Sequence, residues 1–596
     1  MQRFLPALAG LALLHAALPG ALAQPAPNRF QLLETTVPQI RAALDSRLLS
    51  SEELVRAYLA RIAAYDDAGP LLNSYLSLNP AALQVARDLD ARRFLPGFTP
   101  GPLHGVPVAL KDIVDTFDMP TTGGAVALAG TFPTHDAFIT RKLREAGAVI
   151  VGKLTLTEFA NFVTNGMPAG YSSLGGYGFN PYDPGPLPGG DGRPVLSPSG
   201  SSSGSGIAAA ANLAALTIGT ETSGSILSPA SATGIVGIKP TVGLVSRSGI
   251  IPITADQDTA GPMTRTVTDA AILLGVIAGY DAADPATEAC LQANVCYSDY
   301  TQFLDAGALQ GARLVVPPFP TNRATLMNAA IARMEAAGAT VVRLTAALPP
   351  VGVPGILNYG QKRDVNAYLD TRPESLPIQS LADLIAYNEA NAAVALRYGQ
   401  VQFIASNALD ITPGSADTLT YIANRDLGFE RSRGIIHGVL DGPDALPGTA
   451  DDFDAVVFSG SGGAGTWARA GYPTVLVPLG FVTQNGAQVP TGISFAGRRF
   501  GEPRLIGLGY AFEQLNTGGR LPPASAPALP GDTVLRGDIN SDRVVNAVDI
   551  GMVKRRIGQP ASGPYDKADL NGDGSITTAD LKAITALCQA ARGCGR

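Results

Sequence analysis

The residue types best suited to chemistry are concentrated between Ser197 and Thr241, in SPSGSSSGSGIAAAANLAALTIGTETSGSILSPASATGIVGIKPT. Serine and glycine at this density usually indicate a flexible linker. Here they are interleaved with an alanine-rich helical run and strand-like runs, which a linker lacks. Small residues let backbone amides approach a bound group closely, and consecutive inward-pointing amides make an anion-binding concavity. Phosphate binding and oxyanion stabilisation both need such a cradle. The phosphate-loop ending Gly-Lys-Ser/Thr is absent, which leaves an oxyanion hole serving a serine nucleophile.

A nucleophilic serine needs a base. Beyond the N-terminal apolar segment the histidines are His104, His135 and His437. A Ser–His–Asp triad is therefore compatible with composition, although the G-x-S-x-G elbow is missing. Lys111 is the other candidate. It follows the apolar run of LHGVPVALKD, which would carry its ammonium into the interior, where burial lowers a lysine pKa and frees the amine to act as a base. Spacing alone favours a plainer reading, a solvated or salt-bridged lysine with Asp112 beside it.

Several motifs taken together resemble the amidase signature family: GPLHGVPVALKD, SGSSSGSG, GTETSGSI and GIVGIKPTVGLVSRSGIIP, in that order and spacing. AGAVIVGKLTLTEFAN, GYPTVLVPLG and FGEPRLIGLGYAFEQ extend the resemblance over most of residues 28–518. Within the family the motifs look most like those of bacterial peptide amidases, which deamidate C-terminal peptide amides. The resemblance implies an α/β fold with a central mixed β-sheet covered by helices. It makes Lys111 the catalytic lysine, Ser201 a bridging serine that follows a cis peptide bond, and Ser225, 24 residues further on, the nucleophile. Backbone N–H groups of Thr222, Ser223, Gly224 and Ser225 would form the oxyanion hole. The implied reaction is hydrolysis of a small amide or peptide amide through an acyl-enzyme, without a cofactor. Ser202 and Ser203 are the neighbouring alternatives, and the spacing selects Ser201. Two positions depart from many relatives: Ser223 stands in place of glycine, and Leu227 in place of an arginine that commonly supports the loop.

Other functions fit less well. A glutamine-dependent amidotransferase subunit belongs to the same family, but export separates it from charged tRNA and ATP. A catalytically inactive amidase-fold binding protein, tethered by its C-terminal module, conflicts with the intact Lys111, Ser201 and Ser225.

These residues must be positioned by a substantial scaffold. At 596 residues, with 46% apolar and 16% charged residues, the chain should hold at least two folding units. The net charge of −7 argues against non-specific nucleic-acid binding or an anionic membrane surface. Ser50 and Glu53 suggest a capping box ahead of a helix bearing Leu54, Val55, Tyr58, Leu59 and Ile62. Strand-like Val106 to Leu110, Ala148 to Val151 and Ile235 to Ile238 alternate with helical patterns over Arg141 to Gly147 and Gly206 to Leu216, as in an α/β fold. Gly176 to Pro198 and Asp441 to Asp454 look like surface insertions.

Residues 1–23 read as a signal peptide, with Arg3, an apolar run and Ala21-Leu22-Ala23, which predicts a secreted or periplasmic protein. No stretch is long enough for a membrane span. The cysteines suit an oxidising compartment, with local Cys290–Cys296 and Cys588–Cys594 pairing the simplest connectivity. The amidase domain is assigned to residues 24–520. A Pro/Ala-rich, semi-extended linker follows over 521–531, and a separate module over 532–596.

That module contains a repeat. DINSDRVVNAVD and DLNGDGSITTAD begin 31 residues apart, each ahead of a helical run. Oxygen donors at loop positions 1, 3, 5, 9 and 12 suit a hard cation such as Ca²⁺. The first loop offers Asp538, Asn540, Asp542, Asn546 and Asp549, with Val544 through its carbonyl. The second offers Asp569, Asn571, Asp573, Thr577 and Asp580, with Ser575 through its carbonyl. The paired loops and helices resemble dockerin domains, which implies a small all-α module, two structural calcium ions and a cohesin-type partner. Arg543 stands where the first loop usually has glycine, so that loop is expected to be strained.

Overall fold

The computed structural model describes residues 27–373, 376–484 and 486–590. The predicted signal peptide, residues 1–23, and Cys594 lie outside the described residues. Among the described residues, fifteen strands occur in chain order. They begin with β1 (Arg29–Gln31), β2 (Tyr75–Leu78), β3 (Pro107–Lys111), β4 (Val149–Leu154), β5 (Tyr171–Ser172) and β6 (Gly176–Tyr177). Next come β7 (Leu216–Glu221), β8 (Val236–Lys239), β9 (Thr259–Thr264), β10 (Arg313–Val316) and β11 (Thr340–Arg343). The last are β12 (Ala455–Ser459), β13 (Thr474–Gln484), β14 (Ala487–Ala496) and β15 (Thr533–Leu535).

Eleven of them form one mixed sheet in the order β11-β10-β12-β14-β13-β8-β9-β7-β3-β4-β2. β3 lies parallel to both β4 and β7, and β7 antiparallel to β9. Both faces are covered by helices, so β3, β4, β7, β8 and β9 are buried along their whole length. That two-sided burial is why these segments read as near-continuous apolar runs rather than as alternating patterns.

Local chemistry starts and stops the elements much as the sequence suggests. Ser50 and Glu53 form the expected capping box ahead of helix Ser51–Tyr65, whose Leu54, Val55, Tyr58 and Ile62 are buried. The alanine-rich helix is shorter than expected, Ser203–Ala210. Asn212 ends it by adopting the left-handed conformation (φ 56°), which asparagine tolerates better than most residues. The chain then turns directly into β7. Cys290 and Cys296 are disulfide-bonded, as expected. Asp441 to Asp454 is a surface loop held by Arg498, whose guanidinium contacts both Asp441 and Asp452. No helix of the described residues is long and apolar enough to cross a membrane.

The Pro/Ala-rich segment is fastened to the amidase core. Arg61, fully buried, forms a 2.6 Å ion pair with Asp532 and donates to the carbonyls of Ala526 and Pro527. β15 then pairs antiparallel with β1, so the start of the C-terminal module is joined to the first strand of the amidase region in one small sheet. Beyond it, helices Ala547–Arg556 and Thr578–Ala590 pack around Val545, Val553, Ile576 and Ile584. This module touches the core through Arg536 on the Ser46 carbonyl (2.7 Å), through Lys567 with Glu53 (3.4 Å), and through Arg47 on the Gly572 carbonyl.

Candidate active site

The site is assembled where β3 and β7 end side by side. Lys111 is the last residue of β3 and Thr220 lies near the end of β7. The chain leaving β7 makes a turn over Thr222 to Ile226 before helix Leu227–Thr233. A second loop brings Ser201 in across a cis Gly200–Ser201 peptide, just ahead of helix Ser203–Ala210. The Ser202 amide donates to the Ser225 carbonyl (3.2 Å), which fixes the two loops against each other.

Lys111 is wholly buried, and the partners of its ammonium are hydroxyls. Nζ donates to Ser201 Oγ at 2.8 Å, Thr220 Oγ1 at 3.0 Å and Ser202 Oγ at 3.1 Å. Burial pulls its pKa down from 10.5 to about 7, with Asp258 and Glu221 opposing the shift from further away. A lysine in this state is available as a base at neutral pH. The surface reading favoured by spacing is thereby overturned. Asp112 does not pair with Lys111; its carboxylate faces Lys153 on β4 at 3.0 Å. Successive side chains of a strand point to opposite faces, so neighbours in sequence are separated by the sheet.

Ser225 is 8% exposed, whereas Ser201, Ser202 and Lys111 are wholly buried. Among the described residues, the backbone amides of Thr222, Ser223, Gly224 and Ser225 donate no hydrogen bond. Four consecutive unpaired donors, with Gly224 in the left-handed conformation (φ 83°), form the concavity expected of an oxyanion hole. Among the described residues, no histidine hydrogen-bonds to this site. His104 contacts the Leu89 carbonyl, His135 contacts Thr134, and His437 contacts Tyr472 and Arg498. His104, His135 and His437 therefore do not form a Ser–His–Asp arrangement with Ser225.

Two further residues hold the turn, and sequence reasoning missed both. Glu221 Oε2 accepts from the amides of Ile226 (2.8 Å) and Leu227 (3.0 Å), capping the helix that follows Ser225. Its signal was an acid just ahead of a helix N-terminus. Asp258 accepts from Thr222 Oγ1 (2.5 Å) and from the Ile253 and Thr254 amides, and burial pushes its pKa up to about 7. Nothing local in the sequence marks it, because the contact spans 36 residues. Leu227, where an arginine was expected, is buried with Ile226, Ala464 and Leu476, so apolar packing supports the loop instead.

In the C-terminal module both loops fold around their first and last carboxylates. Asp549 accepts from the amides of Ile539, Asn540 and Asn546, and Asp580 from those of Leu570, Asn571 and Thr577. Asp538 and Asp569 accept from amides on the other side of each loop. Among the described residues, no group of three or more His, Cys, Asp or Glu side chains lies close enough together to hold a metal ion. Each loop does present an all-oxygen donor set, the chemistry a hard cation requires. The loops differ in strain. The second places Gly572 and Gly574 at φ 70° and 88°, whereas the first forces Ser541 and Arg543 to 61° and 71°.

The fold and site define a hydrolase of carbon–nitrogen bonds, and the chain belongs to the amidase family, which it matches over residues 53–394. Residues 536–586 match the dockerin type I domain. A probable amidase of Arabidopsis thaliana is 39% identical, over 82% of this chain and 91% of that one. Among solved structures, a peptide amidase of Stenotrophomonas maltophilia is 40% identical with a TM-score of 0.73, covering 83% of this chain and 99% of that chain. An amidase family protein of Bacillus anthracis is 35% identical with a TM-score of 0.75, covering 83% of this chain and 92% of its own.

Proposed function

We propose that this protein hydrolyses amides through a Ser225–Ser201–Lys111 relay, C-terminal peptide amides being the substrates suggested by the Stenotrophomonas relative. The observation that carries the reading is a buried lysine, with a pKa near 7, whose ammonium contacts hydroxyls only. Neutral Lys111 takes a proton from Ser201 Oγ, which takes one from Ser225 Oγ as that oxygen attacks the amide carbonyl. The oxygen of the tetrahedral intermediate is held by the amides of Thr222 to Ser225, and loss of one such donor raises the barrier by about 2.7–4 kcal/mol. The relay then returns the proton to the leaving nitrogen, and water attacks the acyl-enzyme.

In the C-terminal module, calcium ions would sit on Asp538, Asn540, Asp542, Asn546, Asp549 and the Val544 carbonyl, and on Asp569, Asn571, Asp573, Thr577, Asp580 and the Ser575 carbonyl. The likeness to dockerins supports a cohesin-type partner and export of the protein. The working boundaries remain 24–520 for the amidase domain, 521–531 for the connecting segment and 532–596 for the module.

The deciding experiment incubates native and Ser225→Ala protein with peptide amides and with a serine-directed acylating probe. Ammonia release and probe labelling are expected from the native protein and from neither in the variant. A native protein that neither takes the probe nor turns over any amide supports the inactive binding protein instead.

A further inference from the structure

Beside the active site lies a cavity of about 370 Å³, within the range of small-ligand pockets. It reaches the catalytic turn at Thr220 and Thr222, while Lys111, Ser201 and Ser225 are not part of its lining. Its walls are largely aliphatic and aromatic, with Ile113, Ile250, Ile251, Ile253 and Tyr368 among them.

The charged groups that face this cavity are already paired. Arg247 Nε donates to Asp284 Oδ2 at 2.7 Å, and a second guanidinium nitrogen reaches the other Asp284 oxygen. Asp364 accepts from Arg363 (2.6 and 2.8 Å) and from the Ala255 amide (2.7 Å). Asp258 is bound to Thr222 and to two loop amides. A charged ligand would have to break one of these pairs or remain unpaired, and burying an unpaired charge is strongly unfavourable. A neutral polar atom can be accommodated, since Ser248 Oγ is buried there without a partner.

We infer that this cavity receives the acyl-side substituent of the substrate and selects bulky, uncharged, mainly apolar groups. The inference rests on the proposed function. With Thr222 at the start of the oxyanion cradle and also in the cavity wall, a carbonyl seated on the cradle has the cavity next to its acyl carbon. A primary amide releases only ammonia, so the group large enough to fill this volume is the acyl one. Each methylene-sized difference in an apolar pocket is worth roughly 10- to 200-fold.

The test compares kcat/KM for N-acetylated amino-acid amides carrying Phe, Leu, Gly, Asp and Lys side chains. Phe and Leu amides are expected to exceed Gly by at least about 100-fold, with Asp and Lys at or below Gly. Ala367→Trp and Ala283→Trp each introduce bulk from an exposed position on the cavity wall, and either should reduce the Phe-to-Gly ratio at least tenfold. Comparable rates for all five amides, abolished by Ser225→Ala, would overturn the inference and leave the proposed function standing. Failure of the native protein to cleave any amide would overturn both.

Discussion

Two wholly buried lysines sit on neighbouring parallel strands, Lys111 on β3 and Lys153 on β4, and their surroundings differ in kind. Lys153 contacts the Asp112 carboxylate (3.0 Å), the Pro120 carbonyl (3.0 Å) and Thr121 Oγ1 (2.7 Å). Lys111 has three hydroxyls. Burial lowers both pKa values, but at Lys153 the adjoining carboxylate opposes the shift. Carboxylates and carbonyls only accept hydrogen bonds, so they hold the proton on Lys153. Hydroxyls both accept and donate, so Lys111 is satisfied with or without its proton. Lys239, a third buried lysine whose pKa burial pulls down to about 8, rests on the carbonyls of Pro240 and Tyr472, which accept but cannot donate a proton. Burial alone therefore does not make a base; reversible partners do.

The sharpest way to break this comparison is to remove each lysine in turn. Lys111→Ala should lower kcat/KM by about 10³-fold or more, the upper range for a lost general base. Steady-state kinetics on the purified, folded variant would measure it, and a loss below about tenfold would move the base elsewhere. Lys153→Met should instead destabilise the protein by about 3–5 kcal/mol, because Asp112 is left buried and unpaired. Urea unfolding would detect this, and adding Asp112→Asn should recover part of the loss. A Lys153→Met protein of normal stability but without activity would reverse the two roles.

Acidity gives the next test. In the proposed relay Lys111 acts as the free amine, so kcat/KM should fall about tenfold per pH unit below about 7. The same shift affects stability in a defined direction. Between about 7 and 10.5 the unfolded lysine keeps a proton that the folded one releases, so this contribution to stability rises with pH. Lys111→Met should abolish that rise. The smallest effect expected is that of Ser202→Ala. Ser202 Oγ accepts from Lys111 and donates to the Thr220 carbonyl (3.0 Å), so its loss removes orientation rather than the relay. One hydrogen bond of about 1 kcal/mol corresponds to roughly fivefold in rate. A collapse comparable to Ser201→Ala would assign the bridging role to Ser202.

Much of the scaffold was legible because its signals are local. The Ser50–Glu53 box, the buried strands and the twelve-residue loops each express themselves within a few residues, as apolar runs or oxygen donors at fixed spacing. The exceptions were non-local. The helix ending at Ala210 stops because Asn212 turns left-handed and bonds Glu34, 178 residues away. The proline-rich segment looks free in sequence, yet Arg61 holds it by hydrogen bonds that span more than 460 residues.

The sequence by itself determined the mixed α/β class, the cradle of small residues, the serines at their 24-residue spacing and the paired acidic loops. The class, the cradle and the loops follow from residue type and near-neighbour geometry, and the serine pair follows from the resemblance to the amidase signature family. Only the tertiary structure decided that Lys111 is buried among hydroxyls while Asp112 turns to the opposite face and pairs with Lys153. Only it brought Asp258 beneath the catalytic turn. A side chain's proton affinity depends on what surrounds it in three dimensions, and that is set by which strands lie side by side.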